Sequence, residues 1–227
     1  MGTFMTLMTY AVSATFFGVS LSRFLTLSKA EDTIRRFSRV PLPLSPLLIL
    51  RAAGDIIFLT RLLKTNDLLW IGEWFFHGSL VIVALRHLRY VLTPVPDWVW
   101  FIQPFGLVAG YILPLSLLFI LIMKALGERE YFPSYNFFLL LLLLVMAVTG
   151  LLIQTIFRTD VIAVKEFMSG IFTFNPTVLP HSLLFILHFF LFLVLVVSLP
   201  AHVFTAPFVM IEARRHEKAL ETLIREK

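Results

Sequence analysis

Apolar residues along this chain gather into five long stretches, with polar residues confined to the segments between them. The stretches cover residues 3–27, 68–92, 101–123, 136–157 and 181–205. Each has about the twenty apolar residues that carry an α-helix across a hydrocarbon layer of ~30 Å. Backbone polar groups in lipid must be satisfied within the segment, so these runs predict helices. The expected fold is an all-α membrane protein with five transmembrane helices, a single integral-membrane domain over 1–227. No cationic segment precedes the first run, so an uncleaved helix is expected there rather than a signal peptide.

The segments between the runs have their own patterns. Residues 28–67 are rich in charge and broken by PLPLSP, with Pro41, Pro43 and Pro46. After that break, LLILRAAGDIIFLTRLLK predicts an interfacial helix over about 47–64, too interrupted by Arg51, Asp55 and Arg61 to span. TPVPDWVW after the second run predicts a tight turn, with Trp98 and Trp100 in an aromatic belt. Pro104 and Pro114 predict bends in the third helix. Residues 158–180 read as a connection, and residues 213–227 as a charged amphipathic tail.

Composition narrows the class. The chain is 227 residues long and 59% hydrophobic, with only 15% charged residues, which excludes an ordinary soluble domain. It has no cysteine, so thiolate-held iron–sulfur clusters, disulfides and thioether-linked cofactors are excluded within it. The net charge of +5 follows the loops, which points to membrane topology and not to nucleic acid. Of the 19 Lys and Arg residues, eight lie in 23–67, two in 124–133 and five in the tail. The other side keeps Arg86, Arg89, Arg158 and Lys165. Positive-inside bias then predicts an outside N-terminus and a cytoplasmic C-terminus, in a multi-pass protein of the inner (cytoplasmic) membrane.

Within this apolar chain, histidine is the residue that carries candidate chemistry. The second run holds His77 and His87, ten residues apart, or ~15 Å along a helix axis and ~80° around it. The fifth holds His188 and His202, fourteen apart, or ~21 Å and ~40°. With the predicted topology, His77 and His202 share the cytoplasmic half, and His87 and His188 the outer half. Imidazole inside a membrane is costly and usually functional, although it also serves as a plain interhelical hydrogen bond. Two antiparallel helices with matched imidazoles predict two bis-histidine haem b groups. His181 is the competitor for the outer position. Gly78, beside His77, leaves room for a macrocycle, and Arg86 and Arg89 are candidate partners of haem propionates. A haem-free membrane anchor, or a small transporter with structural or proton-relaying histidines, is the competing expectation.

The histidine pattern resembles that of the di-haem cytochrome b (gamma) subunit of respiratory nitrate reductase. Relatives of that family occur in heterodisulfide reductase and in sulfite-reductase-linked membrane complexes. The resemblance rests on H-x9-H at His77 and His87, on His188, and on HVFTAP beginning at His202. RAAGDIIFLTRLLK and VTGLLIQ are also similar. It implies an electron-transfer subunit of an oxidoreductase complex, which exchanges electrons between quinone or menaquinone and an iron–sulfur partner at the cytoplasmic face. Haem at the outer end needs a carrier site opening to the lipid bilayer. His181, Gln103 and Asp97 are the expected quinone-binding residues, His181 first because a neutral imidazole can bond a carbonyl and exchange a proton.

Overall fold

In the computed structural model, the described residues are 2–37, 45–127 and 134–225. Among them the fold is all α-helix, without a strand. Five helices are long and apolar enough to cross a bilayer: Gly2–Lys29, Asp67–Tyr90, Asp97–Leu126, Tyr135–Thr155 and Leu183–Pro200. The expected fold class is thus observed. Pro41, Pro43 and most of the polar loop before the fourth span lie outside the described residues.

In chain order the helices are α1 (Gly2–Phe37), α2 (Pro46–Phe58), α3 (Thr60–Thr65), α4 (Asp67–His87), α5 (Asp97–Leu126), α6 (Ser134–Thr155), α7 (Val161–Phe172) and α8 (Leu183–Arg225). A 3-10 turn over Leu88–Tyr90 continues α4. The residues pack as two units, one of Met1–Val12 with Leu68–Val196, the other of Ser13–Asp67 with Val197–Lys227.

Within the first unit, α5 runs unbroken through Pro104 and Pro114. It packs on α4 and α6 through Phe76, Leu113, Leu117, Ile120 and Leu140. The turn before it contains a cis Thr93–Pro94 peptide. A second cluster joins Met5 of α1 to Val164, Phe167 and Ile171 of α7 and to Phe185, Phe189 and Leu193 of α8. The Tyr10 hydroxyl donates to the Ile171 carbonyl at 2.8 Å and fastens the start of α1 to α7.

Helix α7 corrects the expected connection over 158–180. Asp160 caps it, its carboxylate accepting from the Ile162 amide at 2.8 Å. Val164, Phe167 and Ile171 recur at helical spacing and are buried, which anchors a helix of 12 residues that is too short to span.

In the second unit the interfacial helix expected over 47–64 is two helices. Leu59 adopts the left-handed conformation (φ 50°) between α2 and α3 and interrupts the run. Pro46 occupies the first turn of α2, and the Ser45 hydroxyl accepts from the Leu48 amide at 3.3 Å. The buried face of α2 carries Leu48, Ala52 and Asp55, while Leu47, Leu50, Ile57 and Phe58 are exposed. A charge turned inward with apolar residues outward suits a lipid surrounding.

The fifth span and the tail, expected as separate segments, are one helix, α8, which passes through Pro200 and Pro207. It begins at Leu183, where the Ser182 hydroxyl accepts from the Phe185 amide at 3.3 Å. His181 therefore precedes the helix and stands outside its first turn.

Candidate functional site

The observation that organises the first unit is the approach of α4 to α8. The His87 and His188 rings have centroids 6.3 Å apart and planes 17° from parallel. Imidazole nitrogens bind first-row metals at about 2 Å, and the ring centre lies about 1 Å further on. Two imidazoles on opposite sides of one metal thus have centroids about 6 Å apart, as these do.

Hydrogen bonding fixes which nitrogen each ring keeps. His87 Nδ1 lies 2.7 Å from the Val83 carbonyl, one turn back on α4. A carbonyl only accepts, so Nδ1 carries the proton and Nε2 has the free lone pair. His77 repeats the arrangement, with Nδ1 2.7 Å from the Glu73 carbonyl. His188 reaches across to α6, where its Nδ1 is 3.0 Å from the Thr149 hydroxyl. That hydroxyl donates to the Met146 carbonyl at 2.9 Å, so it accepts from His188. Both rings therefore keep Nε2 free of these bonds, the nitrogen left to a metal when Nδ1–H is held by a second partner.

Helix α6 comes close because Gly150 has no side chain. A Cβ there would stand 3.0 Å from His188 Cε1, closer than packed carbons normally sit. Among the described residues, no three of His, Cys, Asp and Glu are gathered as a cage for a bare metal ion. A pair of imidazoles would instead suit a haem, whose macrocycle would supply the remaining ligands and whose iron would supply one-electron chemistry.

Beside His87 lies a basic cluster. The 3-10 turn after His87 has three residues per turn, which brings Arg86 and Arg89 to the same side. Arg86 Nε donates to Gln103 Oε1 at 3.2 Å, and Arg89 Nη1 to the same oxygen at 3.0 Å. Arg86 also donates to Gln154 of α6. The Arg89 guanidinium lies 4.5 Å from the centre of the Tyr90 ring. Gly106 seats the Arg86 stem, since a Cβ there would lie 2.5 Å from its Cδ. Among the described residues neither arginine has a carboxylate within salt-bridge distance, and the buried Arg89 Nε lacks a hydrogen-bond partner. Two cations held by neutral amides remain free to meet an anion.

The other expected residues fall elsewhere. His77 is exposed, with Glu73 Oε2 3.8 Å from its Nδ1 and Lys124 Nζ 2.8 Å from Glu73 Oε1. His202 is exposed and belongs to the second unit. Gly78 faces open space. His181 lies in a cleft of about 280 Å³ with Arg158, Asp160, Glu166 and Ser182. Neither Gln103 nor Asp97 lines that cleft, so the expected quinone residues divide between two places. Gln103 is occupied by the arginines and by the Val99 carbonyl, to which its Nε2 donates at 3.1 Å, and Asp97 is exposed at the start of α5. Thr149, Gly150 and Gln154 were not among the expected site residues. Their signal was polarity inside FFLLLLLLVMAVTGLLIQ, an otherwise apolar run.

Similarity to known proteins is limited to part of the chain. It is 30% identical over 119 residues to the Hdr-like menaquinol oxidoreductase cytochrome b-like subunit of Archaeoglobus fulgidus, covering 47% of this chain and 36% of that protein. It is 31% identical over 139 residues to the subunit of the same name from Archaeoglobus profundus, covering 53% and 41% respectively. The matches thus span only about two fifths of each relative's length. These names support the Hdr-like side of the family resemblance and not the nitrate reductase gamma subunit. No family model and no solved structure matches the chain.

Proposed function

We propose that the chain is a haem-b-bearing membrane subunit of a redox complex, exchanging electrons between menaquinone and an iron–sulfur partner. The observation that carries this is the 6.3 Å opposition of His87 and His188, with Nδ1 of each hydrogen-bonded and Nε2 left free. The two archaeal relatives support it through the words cytochrome b-like and menaquinol in their names.

When bound, haem supplies one-electron redox chemistry, and the chain supplies ligation, orientation and charge. His87 and His188 are the ligands at the outer end. Arg86 and Arg89 provide the positive charge for propionates beside them. A second haem on His77 and His202 rests on the sequence alone, through the shared depth that positive-inside topology gives them. The cleft at His181 is the favoured quinone site, since His181 stands just before the first turn of α8, whose second turn carries His188. Asp160 and Glu166 there can take protons that a quinol releases. By positive-inside bias, residues 28–67, the 124–133 loop and the tail belong to the cytoplasmic side, the side from which an iron–sulfur subunit docks.

The test is a reduced-minus-oxidised visible spectrum of the purified protein, with reduction by dithionite and then by a menaquinol analogue. Absorption bands of b-type haem that appear with both reductants are expected. A protein without such bands is a haem-free anchor, and the proposal is wrong.

A further inference from the structure

We propose that α6 is the positioning helix of the site, and that Thr149 sets the redox potential of the metal held by His188. This rests on His87 and His188 being haem ligands, and it assigns work to a helix that contributes no ligand.

Three contacts of α6 converge on the site within about one and a half turns. Thr149 is buried, and its hydroxyl proton is spent on the Met146 carbonyl at 2.9 Å. Its oxygen can then only accept from His188 Nδ1 at 3.0 Å. That bond selects the tautomer with a bare Nε2 and fixes the rotation of the ring. Gly150 leaves the gap that this approach requires, with His188 Cε1 3.0 Å from the position of a Cβ. Gln154 accepts from Arg86, which places the neighbouring cation from the same helix.

His87 and His77 obtain their Nδ1 partner from their own helix, four residues back. His188 differs, because its partners lie on another helix, the Thr149 hydroxyl 39 residues away in sequence with the Met146 carbonyl beside it. A backbone carbonyl cannot be removed by substitution, whereas Thr149 can. A hydrogen-bond acceptor on Nδ1–H makes the ring a stronger donor at Nε2 and favours the oxidised metal. Its removal therefore raises the potential of that haem.

The experiment compares Thr149→Val, Thr149→Ser, Gly150→Ala and His188→Ala in membranes from the same expression host. Haem stoichiometry is measured first, then the midpoint potential of each haem. Thr149→Val is expected to raise one potential, leave the other unchanged and weaken retention of one haem about tenfold against apomyoglobin. Thr149→Ser, which keeps the hydroxyl, is expected to restore both values. If Thr149→Val does not accumulate, Gly150→Ala carries the test, since its Cβ displaces the same ring and should shift the same haem. Loss of one haem in His188→Ala together with wild-type potentials in Thr149→Val or Gly150→Ala overturns the role of α6 and leaves the ligand assignment standing. Retention of full haem content in His188→Ala overturns the ligand assignment and this inference with it.

Discussion

Arg214 of α8 grips Asp55 of α2 through two bonds, Nη2 to Oδ1 at 2.7 Å and Nε to Oδ2 at 2.5 Å. Asp55 is only 3% exposed, and Thr60 also donates to it. Glu217 links Arg214 to Arg61, at 3.1 and 2.8 Å. The Arg214 hydrogen bond holds the Asp55 carboxyl below its usual range against the opposing effect of burial, with Thr60 and Arg61 adding to it. The Arg214 guanidinium is raised in turn. Removing Asp55 takes the central acceptor out of this network, while Arg214 keeps Glu217 and stays partly exposed, so Asp55→Ala should cost about 1–3 kcal/mol.

A depressed carboxyl pKa stabilises the fold above the unfolded value of about 4, and that stabilisation fades as pH falls through the folded value. The stability gap between wild type and Asp55→Asn should therefore be full at neutral pH and shrink only below about pH 4. Thermal unfolding in detergent across that range measures it. A gap that closes between pH 5 and 7 would mean that another group controls this latch.

The same latch sharpens the test of partner docking. Deleting the whole tail from residue 213 would remove Arg214 and Glu217 and so disturb α2 and α3. Deleting residues 219–227 spares both. That truncation is expected to keep the protein folded and to weaken co-purification of the iron–sulfur partner. Undiminished co-purification would remove this part of the tail from the docking surface.

The quinone site divides into two testable halves. His181→Ala alters the cleft with Asp160 and Glu166, whereas Gln103→Ala releases Arg86 and Arg89. With haem content verified first, His181→Ala is expected to slow reduction by a menaquinol analogue about tenfold or more. Gln103→Ala is expected to act on haem retention instead. Wild-type reduction rates in His181→Ala would move the carrier site away from this cleft.

Gly106 provides a steric check on the arginine cluster. In Gly106→Ala the new Cβ meets the Arg86 stem, which must shift and loosen its bonds to Gln103 and Gln154. A loss of about 1–3 kcal/mol in stability is expected from such overpacking. Melting temperature, followed with and without haem extraction, reads it.

The five spans were legible because length and apolarity alone require them. His87 and His188 were legible as a pair because topology gave them a common depth. Helix α7 stood only as part of the 158–180 connection, since its 12 residues, with Lys165 and Glu166 among them, fall short of a span. Asp160 followed by apolar residues at helical spacing was the available signal. The break at Leu59 has none, since Phe58, Leu59 and Thr60 include neither Gly nor Pro. Thr149 meets His188 across a separation that no local pattern encodes, and Gly106 is explained only by the Arg86 stem it receives. Positions along a helix can be read from periodicity, but which residues face each other between helices depends on rotation and tilt.

Quantification of haem as the pyridine haemochrome, in wild type, His87→Ala and His188→Ala, tests the central claim most directly. The wild-type chain should carry two non-covalent b haems, since no cysteine is present for thioether links. Each single variant should lose one haem, with the same spectral component missing from both. Wild-type protein without haem, or two variants that keep their full content, would contradict the assignment of His87 and His188 as opposed ligands.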